Sequence, residues 1–265
     1  MLNNVFTKTI YDKRWFLLAW CIGLALMAFV TMAFFPYFKN AGFDQVINGL
    51  PKSLQGFLGQ AASYKTVPGY VDEQIFAMRM PMLTLIMVIV LYIGIGVGDE
   101  NRGTLETLLS QPVSRQQVYW QRFWAGCLIT GLACLAIGLG VWLSFPTIHG
   151  SMSISRLLQA CLACWLLTMV FGALTYAVGA ISGKRSLTIG LASIVAFASY
   201  LVSSMAPAVH KLAAAQKFTV FYYYDKPTVA LHGLRTTNLA VMVVTILVLA
   251  SAGALVFQHR DLQRD

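Results

Sequence analysis

The sequence predicts an all-α, polytopic membrane protein with six transmembrane helices. Composition is the first reason: of 265 residues, 58% are hydrophobic and only 11% are charged, whereas soluble domains have about 45–50% apolar and about 25% charged residues. A soluble core of this size would have too few charges to cover its surface. These values exclude a disordered chain, a collagen-like repeat and most soluble enzymes.

The second reason is that the apolar residues are contiguous. About 20 uncharged helical residues are needed to cross roughly 30 Å of hydrocarbon, and six stretches of 19 to 26 residues contain no Asp, Glu, Lys or Arg. We therefore expect a single transmembrane domain over residues 1–265. Its predicted spans are Trp15–Phe35, Met80–Gly98, Phe123–Pro146, Leu157–Ser182, Leu187–Val209 and Thr236–Gln258.

The charge distribution predicts the orientation of these spans. Six spans place both termini on one side, which carries 10 Lys and Arg in 49 residues, against 9 in 80 on the other side. By the positive-inside rule both termini and the loop 99–122 are cytoplasmic, and the loops 36–79 and 210–235 are extracytoplasmic. The net charge of +9 then reflects topology and anionic headgroups, and we expect no nucleic-acid partner.

The N-terminal residues 1–14 precede the first span. Leu2, Val5, Phe6 and Ile10 recur at helical spacing, which predicts an amphipathic helix in the membrane interface; a plain polar leader is the alternative. The first span is too long for the apolar region of a cleaved signal peptide.

The extracytoplasmic loops carry three local signals. Pro68-Gly69 predicts a turn, and Asp72 predicts the N-cap of the helix that enters the second span. Five aromatic residues between Phe218 and Tyr224 favour an interfacial belt, with a substrate gate as the alternative.

The cysteines do not indicate a metal site. Cys161 and Cys164 form a C-x-x-C inside the fourth span, but the sequence has no second pair or nearby His to complete a metal site. Small buried residues between helices are the favoured interpretation.

The loop 99–122 has the most specific pattern. Gly103-Thr104 begins a short helix, Pro112 ends it, and Ser114 with Gln117 forms a capping box for the next helix. Leu105, Leu108 and Leu109 share one face of the short helix. Two turns of helix are not stable alone, so this face lies either on headgroups or on a cytosolic partner.

Motifs for catalysis or nucleotide binding are missing from the sequence. The nearest string to a phosphate-binding loop, Gly183-Lys184-Arg185-Ser186, lacks an upstream glycine at the required offset and a Ser or Thr directly after the Lys. H-E-x-x-H and G-x-S-x-G are also absent. We therefore expect no catalytic, metal or cofactor residues in this chain. The uncharged spans disfavour ion coupling, so energy for any transport would come from another subunit.

Residues in the loop 99–122 and in two further segments resemble a known family. Glu100-x-x-Gly103-Thr104-Leu105-Glu106-x-Leu108-Leu109-x-x-Pro112, placed after the second of six spans, resembles the membrane subunits of ABC-2 type transporters. Leu50-Pro51 and Gly69-Tyr70 in the first outer loop, and Phe221 to Pro227 before the last span, are similar as well.

This resemblance implies a type V exporter-like half-transporter in a bacterial inner (plasma) membrane. It implies two copies of a separate ATPase, which would bind ATP and Mg²⁺, and a second copy of this chain or a paralogous permease. The substrate path would follow the interface between permeases, lined by spans one, two and five. The residues implied to dock on the ATPase are Glu100, Arg102, Gly103, Thr104, Leu105, Glu106, Leu108, Leu109 and Pro112, with Lys184 and Arg185 as a second contact.

A membrane scaffold or assembly factor that recruits a cytosolic partner is the alternative function. The uncharged spans suit a hydrophobic or amphipathic molecule and disfavour a strongly charged one.

Overall fold

The computed structural model describes residues 4–40, 66–77, 79–96, 114–148, 150–205, 215–224 and 229–259. Six helices in these ranges are long and apolar enough to cross a membrane, which confirms the prediction of six spans. Within the described ranges the regular structure is helical, without a β-strand, so the all-α class is also confirmed.

The six spans are joined by shorter helices. The complete order is α1 (Val5–Asp12), α2 (Arg14–Ala33), α3 (Phe35–Asn40), α4 (Val67–Tyr70), a π-helical segment (Val71–Phe76), α5 (Arg79–Ile95), α6 (Arg115–Ile148), α7 (Ile154–Ser182), α8 (Arg185–Met205), α9 (Val220–Tyr224), α10 (Val229–His232) and α11 (Thr236–His259). Spans one to six are α2, α5, α6, α7, α8 and α11.

Helix α6 begins eight residues before the predicted span. It starts at Arg115 rather than Phe123, because the capping box at its N-terminus is formed. The Gln117 backbone N–H donates to Ser114 Oγ at 3.2 Å, and the Ser114 N–H donates to Gln117 Oε1 at 3.3 Å. These bonds satisfy two of the N–H groups that a helix start leaves unpaired. The helix can therefore begin before the apolar stretch.

Two predictions for the loop 36–79 are wrong. Pro68-Gly69 is not a turn but lies in the short helix α4, whose start is capped by Thr66: its Oγ1 accepts a bond from the Gly69 N–H at 3.3 Å. Proline is tolerated there because the first turn of a helix needs no N–H from it.

Asp72 does not cap its own helix either. It lies inside the π-helical segment, and both of its carboxylate oxygens accept from the Ala230 N–H at 3.1 Å. The carboxylate therefore caps α10, a helix from the other half of the chain. A local sequence pattern cannot identify a partner 158 residues away.

The bundle has three central and three peripheral spans. More than half of the residues in the most apolar windows of α5, α6 and α7 are buried, against fewer than a third in α2, α8 and α11. Helix α2 packs on α6 and α11 packs on α7. Gly140 of α6 meets α2 so closely that a Cβ there would overlap the backbone of Ala25, the close approach that small residues allow in membranes.

The aromatic residues of the loop 210–235 divide between the core and the surface. Phe218 is 93% exposed, but Phe221 and Tyr224 are buried. The Tyr224 hydroxyl donates to the Phe76 carbonyl at 2.8 Å, and burial raises the pKa of this tyrosine well above its ordinary value, so it remains a neutral donor. Part of the predicted belt therefore joins α9 to the end of the π-helical segment.

Cys161 and Cys164 are both buried and free of disulfides, as the packing interpretation predicted. Cys161 Sγ would lie 2.7 Å from a Cβ placed on Gly138, so the thiol fills the space that this glycine leaves between α6 and α7.

Candidate functional site

The functional candidate is the end of the bundle that carries the N-terminus, called here the N-terminal end. Helices α5 and α7 end there and α2, α6 and α8 begin there. Residues 97–113, which connect α5 to α6, lie outside the described residues. The docking role of Glu100, Arg102, Gly103, Thr104, Leu105, Glu106, Leu108, Leu109 and Pro112 therefore stays a prediction, but the structure describes both helices that this connection joins.

A buried arginine holds these two helices together. Arg122, in the third turn of α6, is only 4% exposed. Its Nη1 donates to the carbonyl oxygen of Ile95 at 2.9 Å. Ile95 is the last residue of α5, where carbonyl groups lack helical partners and the helix dipole favours a cation. Arg122 thus ties the end of α5 to the start of α6 beside the predicted docking loop.

Beside this arginine lies a group of five rings, called here the aromatic cluster: Tyr92, Tyr119, Phe123, Tyr176 and Phe257. Ring centroids are 4.5 Å apart between Tyr119 and Tyr176 and 5.3 Å between Tyr92 and Tyr176. Phe257 of α11 is 5.7 Å from Tyr119. The cluster therefore contains residues of α5, α6, α7 and α11, at spacings that favour aromatic contact.

Each tyrosine of the cluster also binds a backbone carbonyl of another helix. The Tyr92 hydroxyl donates to Phe123 O at 3.0 Å, the Tyr119 hydroxyl to Ala250 O at 3.0 Å, and the Tyr176 hydroxyl to Tyr119 O at 3.2 Å. These three bonds join four spans in addition to the ring contacts. A displacement of the α5 and α6 ends would consequently be transmitted to α7 and α11.

Glycines make room for the Tyr92 ring between its neighbours. A Cβ on Gly126 of α6 or on Gly172 of α7 would lie 2.7 Å from atoms of this ring. Both sites are occupied by the aromatic side chain instead, so the three central helices interlock at one residue.

The second predicted contact, Lys184 and Arg185, lies on the surface of the same end. Gly183 ends α7 in the left-handed conformation, with φ of 64°, and its N–H donates to Gly179 O at 2.9 Å. This is the usual conformation for a glycine that ends a helix, and it reverses the chain directly into α8. Lys184 and Arg185 are both exposed.

Helix α1 lies beside these elements. Asn4 caps it by accepting from the Phe6 N–H at 3.2 Å, and the helix packs against α6. Arg14 lies over the ring of Tyr11 at 3.8 Å, a cation–π contact. The predicted helix before the first span is therefore present, from Val5 to Asp12.

Sequence reasoning missed the two features that join the spans here. From the sequence, Arg122 entered only the comparison of Lys and Arg numbers on the two sides of the membrane. The tyrosines of the aromatic cluster entered only as apolar residues. One signal was available, because Arg122 stands directly before a predicted span, where burial requires a hydrogen-bond partner.

The fold and this end of the bundle define a multi-pass α-helical membrane protein whose central spans are joined beside one connecting loop. The family model described as "ABC-2 family transporter protein" matches residues 3–262. The chain belongs to this family, so the resemblance predicted from the docking-loop motif is confirmed.

The chain is accordingly a membrane permease component of an ABC transporter. Membrane proteins of this family are generally non-catalytic and generally have an ATPase subunit as partner. A search of curated proteins finds no significant match.

Proposed function

We propose that this chain is the permease of an ATP-driven exporter and that residues 100–112, between α5 and α6, dock on a separate ATPase. The observation that carries the proposal is the bond from Arg122 to the Ile95 carbonyl, at 2.9 Å. It joins the two helices that flank the loop and lies next to the aromatic cluster. A force applied to the loop would therefore act on four spans together.

The coupling step follows from this arrangement. ATP and Mg²⁺ bind to the ATPase partner, and closure of two ATPase subunits draws the docked loops toward each other. The apolar face of Leu105, Leu108 and Leu109 anchors each loop in its ATPase. Because α5 and α6 are tied at their ends, they tilt as one body, in the manner of rigid domain motions.

We further propose that two copies of the chain form the substrate path. Helices α2 and α8 are largely exposed in the single chain, with Ile22 and Ile194 each 66% exposed. Apolar faces of this kind are covered either by lipid or by another protein. The interface between spans one, two and five of the two copies is the proposed route of the cargo.

Co-purification with the ATPase tests the docking role. Leu108→Asp places a charge on the apolar face of the docking helix, and burying an unpaired carboxylate costs several kcal/mol. We expect it to lower ATPase co-purification at least ten-fold from membranes that express both proteins. Gln116→Asp is the matched control, because it also adds a carboxylate but at an exposed position in the first turn of α6, outside the docking residues 100–112.

Both variants should elute as the wild-type permease does on gel filtration in detergent. Full retention of the ATPase by Leu108→Asp, or equal loss in Gln116→Asp, would contradict the docking assignment.

A further inference from the structure

A groove runs along the surface of the bundle between α6 and α7. It has a volume of about 650 Å³, within the range of about 300–1,000 Å³ that holds small ligands. Leucines of both helices form its rim, each of them 42–51% exposed: Leu128, Leu132, Leu135 and Leu158. The groove is built from spans three and four, so the proposed interface between copies, on spans one, two and five, leaves it uncovered.

Small residues of α6 create the groove. Cys127, Gly131 and Cys134 line it, and their spacing of three or four residues places them on one side of the helix. Trp165 of α7 rests against Gly131, where a Cβ would be 3.4 Å from Nε1. Its indole N–H donates to the Cys127 carbonyl at 3.1 Å. The two helices are therefore joined at the base of the groove, while the space between their leucines stays open.

The chemistry of the groove is apolar. The described residues that line it include no Asp, Glu, Lys, Arg or His, and buried thiols behave as small hydrophobic groups. The one indole N–H at its base, that of Trp165, is already bonded to a carbonyl. A water molecule needs several polar partners, which these residues do not offer. The groove therefore favours an uncharged, apolar occupant.

The length of the groove identifies that occupant. Trp124 and Leu135 stand at the two ends of its α6 wall, which are about 16 Å apart along a helix axis. Half of a hydrocarbon core is about 15 Å, and a helix that crosses the membrane needs about 30 Å. The groove is consequently too short for a spanning partner helix and matches one acyl chain of a single leaflet.

The aromatic residues show from which leaflet the chain enters. Phe6 of α1 and Trp124, in the third turn of α6, both line the groove, and α1 packs against α6 at the N-terminal end. Aromatic residues of this kind mark the membrane interface. The carbonyl end of the chain therefore lies beside these two rings, and its tail extends toward Leu135 and Leu158.

We propose that this groove binds one acyl chain of a phospholipid from the leaflet on the N-terminal side, irrespective of the headgroup. An unfilled groove would leave its lining atoms without dispersion contacts, and a chain enclosed by α1, α6 and α7 supplies them. The inference goes beyond the proposed function, because chain binding requires this protein alone, without an ATPase, and occurs away from the proposed cargo route.

Photo-crosslinking in nanodiscs separates this site from ordinary lipid contact. The full-length protein is incubated with trace phosphatidylcholine that carries a diazirine at the end of one acyl chain, and labelled residues are assigned by fragment mass spectra. Leu139 and Leu143 are as exposed as the rim leucines, at 52% and 50%, but do not line the groove. About ten additional atom contacts suffice for a ten-fold preference, so Leu132 and Leu135 should be labelled about ten-fold more than these two residues.

A second probe reports the orientation of the chain. With the diazirine close to the carbonyl group, labelling should move to Phe6 and Trp124. Phosphatidylglycerol with the same labelled chain should give the same pattern and yield, because the described lining residues carry no charge.

Variants that fill the groove provide the matched comparison. Leu132→Trp and Leu158→Trp enlarge the rim from α6 and from α7, and each should lower labelling of Leu135 about ten-fold, equivalent to about 1.4 kcal/mol. Leu139→Trp makes the same change two turns further along α6, outside the groove, and should leave that labelling unchanged.

Four outcomes overturn the proposal. Equal labelling of Leu135 and Leu139 would mean that labelling follows exposure alone. Chain-end labelling of Phe6 and Trp124 would place the lipid in the opposite leaflet. Equal loss in Leu132→Trp and Leu139→Trp, or a ten-fold preference for one headgroup, would also contradict it. The Leu108→Asp variant should keep its lipid labelling, so failure of ATPase docking and failure of chain binding are separate results.

Discussion

Arg122 combines a structural and a functional requirement in one side chain. A buried guanidinium is unfavourable unless it is hydrogen-bonded, and one of its nitrogens, Nη1, donates to the Ile95 carbonyl. The bond also determines how far apart the ends of α5 and α6 can move. We therefore regard Arg122 as a positioning residue for the predicted docking residues 100–112.

Substitution of Arg122 should uncouple the permease from its ATPase partner. Arg122→Met removes a charged hydrogen bond worth about 1.5–3 kcal/mol, so the α5 and α6 ends can separate when the loop is pulled. We expect stimulation of the ATPase by reconstituted permease to fall about ten-fold, while ATPase co-purification persists. The measurement is ATP hydrolysis with and without permease in the same vesicles.

Arg122→Lys is the conservative comparison. A lysine keeps the charge but not the planar fork, so it should restore part of the stimulation. Wild-type stimulation in Arg122→Met would show that the bond to Ile95 has no part in coupling.

Single residues also mark where prediction from sequence succeeds. Ser114 and Gln117 were predicted as a capping box and form one, because both partners lie within one helical turn. Asp72 was assigned to its own helix and instead caps α10. Its partner is distant in sequence, and no local rule contains that information.

At the scale of helices, the α2–α6 contact depends on one small residue. Gly140→Ala would place a Cβ against the backbone of Ala25, which cannot shift as a side chain can. We expect a loss of about 1–3 kcal/mol, typical of overpacking, seen as a lower midpoint of thermal unfolding in detergent.

Gly23→Ala is the control for this helix pair. Nothing lies within 4 Å of a Cβ at Gly23, and alanine favours a helix over glycine, so the midpoint should not fall. An equal decrease in both variants would mean that the α2–α6 contact does not depend on close approach.

The spans themselves were predictable because hydropathy acts along the chain. The predicted sixth span ends at Gln258 and α11 at His259, and both begin at Thr236. The third span was predicted to begin at Phe123, eight residues inside α6, because hydropathy detects the membrane and not the helix; the capping box at Ser114 predicted the start of the helix itself. Which span packs on which was not predictable, since α2 contacts α6 through Gly140 and Ala25, two unremarkable positions in the sequence.

At the scale of the whole molecule, the exposed faces of α2 and α8 predict where the two copies of the proposed dimer meet. Ile22→Cys and Ile194→Cys, each made in a Cys21→Ser background, should form disulfide-linked pairs of copies after mild oxidation in membranes. Leu139→Cys on α6 is the control, because Leu139 is also exposed, at 52%, but lies outside the proposed interface.

Non-reducing gel electrophoresis reads this result directly. Equal crosslinking at all three positions would indicate random collision, and crosslinking at Leu139 alone would place the interface on α6. Either result would contradict the proposed substrate path between copies.

The bond between Asp72 and Ala230 has a consequence for how the protein is made. The ribosome must add 158 further residues after Asp72 before its partner exists, which takes about 8–30 s at about 5–20 residues per second. Throughout that interval the carboxylate needs water or headgroups around it. The end of the bundle opposite the N-terminal end can therefore close only after the chain has been made through Ala230, when five of the six spans have already been synthesised.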